Sequence, residues 1–286
     1  MKIRYWGTGA SNGIPGVFCG CKVCQNARRK GGKEVRSRAQ ILIDDALLVD
    51  FGPDTYMNAL RFNFDLSRLT SLLVTHSHLD HYYMTELFNR KPPFCRDTAA
   101  DALAVYGPPE LERFFDADDA LRHRPPSDIK GMHVIFNALK PFKQVRIGGY
   151  RVLPVPATHA TESPFCYVVS DGKSTVFYME DSGLLRPDVF NALASLNLKF
   201  DLVSYDCALG TSDAVALFGI GAGHMGLPNV LKTRADFINA GMLAPAAPGV
   251  LTHFSHDGGN IPYAEFAPIA LREGFITAYD GLTVSI

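Results

Sequence analysis

The sequence predicts a mixed α/β fold in which strands pack on strands and helices lie outside them. Two observations lead there. Short runs rich in Val, Ile, Leu, Phe and Tyr recur in both halves of the chain, and helical patterns fall between them. Neither an internal repeat nor a low-complexity tract is visible, which sets aside solenoids and arrays. The 286 residues suit one large domain or two small ones. They can bury a sizeable core without a disulfide framework.

Taken along the chain, the runs at 2–6, 41–43, 46–49 and 69–75 read as strands. So do 144–155, broken by the Gly148-Gly149 hairpin signal, and 165–170, 175–179, 202–205, 249–252 and 275–286. Helical patterns cover 54–62, with Asp54 as a candidate N-cap, then 82–89, 109–115, 184–196, 227–240 and 263–272. The stretch 91–143 is richest in Pro and charge and weakest in periodicity. Strands resume on either side of it, so it reads as an insertion or lid within a single domain spanning 1–286.

Lys and Arg number 28 against 29 Asp and Glu, a net charge of −1. Bulk basicity is therefore excluded as a means of binding nucleic acid, although a local patch is not. The N-terminus lacks the basic and apolar regions of a secretory signal. Residues 214–231 are uncharged, but Gly219, Gly221, Gly223, His224, Gly226 and Pro228 interrupt them. They read as a loop running into a helix, not a membrane span. A cytoplasmic, reducing setting is expected, because Cys19, Cys21 and Cys24 crowd together as metal ligands would.

The segment His76-Ser77-His78-Leu79-Asp80-His81 follows an apolar run and opens where a strand stops. Imidazole and carboxylate donors suit Zn, Mn or Fe, and a tight turn lets alternate residues face one way. His76 and His78 can then serve one ion while Asp80 and His81 serve a second. A merely solvated turn would favour Gly, Asn, Asp and Ser over clustered His. The thiols at C-x-C-x-x-C need a fourth donor to close a tetrahedral Zn²⁺ site, and His256 is the candidate. Such a closed site is structural. A zinc ribbon would want a second Cys pair, whereas Cys95, Cys166 and Cys207 stand alone and read as core thiols.

The H-x-H-x-D-H turn after a strand resembles the metallo-β-lactamase superfamily. That resemblance implies a four-layer αββα sandwich holding two metal ions between its sheets. It also implies a later His, a bridging carboxylate and a last His, supplied here as His159, Asp181 and His253 at the ends of expected strands. Glu180 competes for the bridging role, but Asp181, beside a Ser-Gly turn, fits the family pattern. Asp50 matches an earlier Asp that orients a ligating His from behind. The implied cofactors are two divalent ions, Mn or Zn, which acidify water and neutralise phosphoryl oxygens.

The run from Gly7 to Pro15, the cysteines after it and the Thr252–His256 loop are together similar to the PhnP-like phosphodiesterases, which open a cyclic ribose phosphate. That similarity implies a metal-dependent phosphodiesterase for a small phosphorylated substrate, with His224 as general acid beside catalytic Asp80 and Asp50. It thins out between Arg90 and Lys143, and the Gly common after the His81 motif is missing. The cysteine pattern also occurs in PqqB-type carriers, and tRNase Z-like nucleases share the fold. An all-imidazole first motif favours hydrolysis over a redox or carrier role, and the net charge argues against a nuclease. Arg38 and Arg90 are candidate phosphate contacts, while Arg28, Arg29 and Lys30 read as a solvated face. Neither a membrane nor a nucleic acid is expected as partner, and a homodimer is left open.

Overall fold

The computed structural model describes residues 1–121, 133–257, 259 and 261–286. Two seven-stranded sheets form among them. The first runs β14 (Thr283–Ser285), β1 (Lys2–Gly7), β2 (Gln40–Ile43), β3 (Leu47–Val49), β4 (Ser71–Leu73), β5 (Leu103–Gly107) and β6 (Val134–Ala138). The second runs β13 (Phe275–Thr277), β12 (Gly249–Thr252), β11 (Leu202–Asp206), β10 (Thr175–Met179), β9 (Phe165–Ser170), β8 (Tyr150–Pro156) and β7 (Val145–Ile147). Strands β3 to β6 are mutually parallel, as are β10 to β13, and the other pairings are antiparallel.

The continuous apolar runs follow from burial on both faces of each sheet. Because side chains alternate along a strand, Ile41 and Ile43 point between the sheets while Leu42 points outward. Tyr167 and Val169 likewise face inward and Val168 outward. The inner layer is closed by Ile3, Tyr5, Val49, Tyr178 and Val250, and the Tyr5 hydroxyl donates to Ser204 Oγ at 3.1 Å. Full burial of an aliphatic side chain there contributes about 1.5–3 kcal/mol.

Outside the second sheet lie α1 (Lys22–Lys30), α4 (Pro187–Ser195), α6 (Leu227–Asn239) and α7 (Tyr263–Arg272), which bury Ala27, Leu193, Phe237 and Phe266 against it. Outside the first lie α2 (Thr55–Arg61), a 3₁₀ turn at Met84–Asn89 and α3 (Glu110–Leu121), which bury Ala59, Phe88 and Leu111. The result is a four-layer αββα sandwich. A short helix, α5 (Ala214–Phe218), precedes the loop carrying His224. No helix among the described residues is long and apolar enough to cross a membrane.

Several elements differ from the sequence reading. The run 275–286 is two strands in different sheets, separated by a turn at Gly281 with φ 96°. Asp54 stands at the start of α2 but does not cap it; its carboxylate instead accepts from the Arg38 amide and guanidinium at 2.9–3.1 Å. The pattern at 82–89 is a 3₁₀ turn beginning at Met84, and the helix after Leu184 starts only at Pro187, where the ring suits a first turn. Part of 91–143 is built into the first sheet as β5 and β6 rather than laid over it. Residues 122–132 of that stretch lie outside the described residues. Cys166 and Cys207 are core thiols, whereas Cys95 is only half-buried.

Candidate metal centre

The chemistry-bearing side chains converge at one end of the sandwich, where strands stop and their next residues turn over the edge. Asp50 follows β3, the 76–81 turn follows β4, and His159, Asp181 and His253 follow β8, β10 and β12. Asp50, Asp181 and His253 all adopt positive φ, at 69°, 47° and 59°. Non-glycine residues hold that conformation where surrounding contacts enforce it, and such strain concentrates at functional sites.

Three overlapping donor sets result among the described residues, one of them Asp181, Asp206, His224 and His253 at the rim, and the other two deeper. One nitrogen or oxygen from each of His76, His78, His159 and Asp181 lies within 4.8 Å of the others, and the same holds for Asp80, His81, Asp181 and His253. Asp181 belongs to both. Its Oδ2 is 3.3 Å from His76 Nε2 and 3.2 Å from His81 Nε2, and its Oδ1 is 3.2 Å from His159 Nδ1. Despite that crowding, His81 Nε2 and Asp181 Oδ1 are buried and make no hydrogen bond among the described residues. Lone-pair donors that are buried, crowded and unpaired fit divalent cations, and imidazole with carboxylate accommodates Mn or Zn. Burial, helped by His81, pushes His76 down to about 4 and also lowers His78 and His253, which favours the neutral, ligating form of these three rings; at His81 the neighbouring Asp80 and Asp50 carboxylates outweigh burial and raise it well above the usual imidazole range.

A supporting layer fixes these rings. Asp50 is fully buried, accepts from the Thr75 amide and hydroxyl at 2.8 Å each, and takes the His81 Nδ1–H at 2.8 Å. That bond leaves His81 Nε2 for the metal side. Glu180 does not compete with Asp181, because its Oε1 stands behind His253, 3.2 Å from Nδ1. Removing such a support should cost about 10–100-fold in metal affinity or activity. Asp50→Asn is therefore expected to weaken the second ion's binding by that factor, measured by metal titration; unchanged affinity would remove Asp50 from this role.

His224 sits at the rim. Its side chain is 36% exposed, against 6% or less for His159, His76, His81 and His253. Its Nδ1 lies 3.0 Å from Asp206 Oδ2 and 3.1 Å from Asp181 Oδ1. Burial opposes its charge, but Asp206 and then Asp181 outweigh burial and push it up to about 11. Asp206 was assigned no role from sequence. Its signal is a lone carboxylate ending the apolar run of β11, the same placement as the other site residues. Its other oxygen accepts from the Ala208 and Met225 amides at 3.0 Å. The close approach depends on Gly183, where a Cβ would fall 1.7 Å from the Ala222 carbonyl oxygen. His78, Asp80, His159, Asp181, His224 and His253 line one cavity of about 250 Å³.

The second cluster is separate. Cys19, Cys21, Cys24 and His256 bring their sulfurs and a ring nitrogen within 4.8 Å, with Cys19 Sγ 3.5 Å from His256 Nδ1. Three sulfurs and one nitrogen match a tetrahedral zinc site, and the four protein donors leave no coordination place for a substrate. Helix α1, which sequence reasoning missed, begins just after Cys21; the C-x-x-C spacing spans its first turn. Arg90 lies elsewhere. It lines an apolar cavity with Phe94 and Cys95 and donates to the Ala100 carbonyl, so it is no phosphate contact for this site.

The family model described as a β-lactamase superfamily domain matches residues 46–254, well over half of the chain. Among solved structures, a diphosphatase from the PhnP family has a TM-score of 0.72 at 20% identity, covering 100% of this chain and 97% of that one. Zn²⁺-bound PqqB from Methylobacterium extorquens has 0.75 at 16%, covering 100% of both. The short form of human tRNase Z has 0.65 at 17%, covering 100% and 99%. At such identities the likeness is one of fold. A curated relative, an octanoyltransferase of Porphyromonas gingivalis (strain ATCC BAA-308 / W83), is 38% identical over 83 residues, 28% of this chain and 16% of that protein. The chain thus matches only a small part of that relative's length. With the family model covering the strands and turns that build the His/Asp cluster, the chain belongs to the β-lactamase superfamily domain family, of metallo-β-lactamase fold.

Proposed function

We propose that the chain is a metal-dependent phosphodiesterase acting on a small cyclic or nucleotide-like phosphodiester, with His224 as general acid. The observation that carries this reading is the pair of His/Asp sets sharing Asp181, beside one partly exposed imidazole. Two divalent ions, Mn or Zn, would be held by His76, His78, His159 and Asp181 and by Asp80, His81, Asp181 and His253; when bound they supply acidified water and neutralise phosphoryl oxygens. A structural zinc would occupy the cysteine cluster. The diphosphatase among the fold neighbours supports a phosphoryl substrate.

The chain's own residues do the rest. Water that has released one proton to solvent bonds through its oxygen to phosphorus, the bond from phosphorus to the leaving oxygen breaks, and His224 gives the leaving oxygen its proton. Asp206 holds His224 through Nδ1, which leaves Nε2 for the substrate. Asp50 and Thr75 keep the 76–81 turn in register.

A general acid typically contributes about 10²–10⁴-fold. His224→Gln is expected to slow hydrolysis of an alkyl phosphodiester by that factor with metal content unchanged. An aryl diester with a good leaving group should be affected far less. Equal losses on both would assign His224 to another task. The reading as a whole is tested by a panel of a cyclic ribose phosphate, 2′,3′-cyclic nucleotides and simple lactones with Mn²⁺ or Zn²⁺ added. Turnover of the phosphodiesters and not the lactones is expected. Turnover of neither, with the metals loaded, would favour the carrier reading.

A further inference from the structure

Beside the metal cavity lies a second hollow of about 490 Å³, lined by Val17, Phe18, Arg38 and His256 among others. The two share Asn12 as a lining residue, so the hollow forms a trough adjoining the metal cavity. Its outer wall is a tight turn, Gly16-Val17-Phe18-Cys19, closed by the Cys19 amide donating to the Gly16 carbonyl at 3.1 Å. The tip of that turn is apolar and wholly in solvent, with Val17 70% and Phe18 102% exposed.

An exposed tip of this kind would ordinarily be loose, but this one is anchored at both ends. Arg28 donates to the Cys19 carbonyl at 2.5 Å and to the Gly16 carbonyl at 2.8 Å, and the Gly16 amide donates to Cys24 Sγ at 3.3 Å. The turn also rests on His256, whose Nε2 would lie 2.7 Å from a Cβ on Gly16. The basic residue read from sequence as part of a solvated face is thus a clamp on the turn. Across the hollow, Arg38 is fixed by its ion pair with Asp54 at 3.0 Å and by donation from Nε to the Ser11 carbonyl at 3.1 Å. No carboxylate lines the hollow among the described residues.

From these features we infer that the Val17-Phe18 turn is a specificity element, taking the flat heterocyclic or aryl group of a substrate whose phosphate sits at the His/Asp cluster. The Phe18 ring offers a stacking face, Arg38 lines the same hollow with its guanidinium held by Asp54, and Asn12, which lines both cavities, offers an amide. Fixing the turn in advance spares the ordering cost that a loose loop would incur on binding. The cysteine cluster then has a functional consequence, because it holds this turn against the trough. The inference rests on the phosphodiesterase reading for the identity of the phosphate end, but its test does not need turnover.

Calorimetric binding of AMP and of ribose 5-phosphate to the metal-loaded protein measures what the base adds. A stacked base contributes about tenfold or more in affinity. AMP is expected to bind at least tenfold tighter than ribose 5-phosphate. Phe18→Ala should abolish that difference while leaving ribose 5-phosphate binding and metal content unchanged, and Phe18→Trp should retain it. Equal binding of the two ligands to the wild type, or an AMP preference that survives Phe18→Ala, overturns the inference. So does a change in particle mass on Phe18→Ala, which would place Phe18 in a subunit interface. Failure to hydrolyse any phosphodiester would instead remove the parent reading, and leaves this binding comparison as decisive as before.

Discussion

Replacing Asp181 by Asn is expected to lower phosphodiester turnover by at least about 10³-fold, the equivalent of several kcal/mol of lost charge stabilisation. Among the described residues, no other joins the set of His76, His78 and His159 to the set of Asp80, His81 and His253. The substitution leaves His76, His81 and His253 facing one another, buried, without the carboxylate whose charge balances two cations. Elemental analysis should therefore show loss of both catalytic ions while the metal at the cysteine cluster stays. Glu180→Gln makes the comparison sharp. Glu180 is equally buried and adjacent in sequence, but its carboxylate stands at the far side of His253, so a loss of about 10–100-fold is expected. Equal losses for the two variants would mean that the shared carboxylate has been misassigned.

The second large effect is on stability. Cys24 is fully buried and belongs to the cluster that ties the segment before α1 to the loop after β12. Burial pushes its thiol up to about 12, so in the absence of a cation it stays protonated, and cation binding must displace that proton. Metal affinity at this site is consequently folding free energy for the surrounding loops. Cys24→Ser is expected to lower the midpoint of thermal unfolding by on the order of 5–10 °C and to remove one metal per chain. A midpoint within a degree of the wild type, with that metal gone, would show that the loops hold without it.

Legibility from sequence followed the physics of each feature. Strands buried on both faces, such as 165–170 and 175–179, print continuous apolar runs and were readable with their ends. The 76–81 turn was readable because clustered imidazoles have few other uses, whereas His159, Asp181 and His253 came only with the family resemblance. Helix α1 was not, since its apolar face consists of Val23, Cys24 and Ala27, and the cysteines drew attention to chemistry instead of periodicity. Strands β5 and β6 are short and lie in a proline- and charge-rich stretch; Ile135 on β6 is 56% exposed, so its pattern carries no clean alternation. Asp206 was missed for a different reason. A carboxylate that acts through another side chain leaves no spacing motif, and only the fold brings it within 3.0 Å of His224.

The most direct measurement is the initial rate of bis-p-nitrophenyl phosphate hydrolysis by metal-stripped protein, followed as Mn²⁺ or Zn²⁺ is returned one equivalent at a time. With the cysteine cluster filled first, activity should appear only with the next two equivalents and then level off. A rate that stays at the buffer level when three ions per chain are bound contradicts the account.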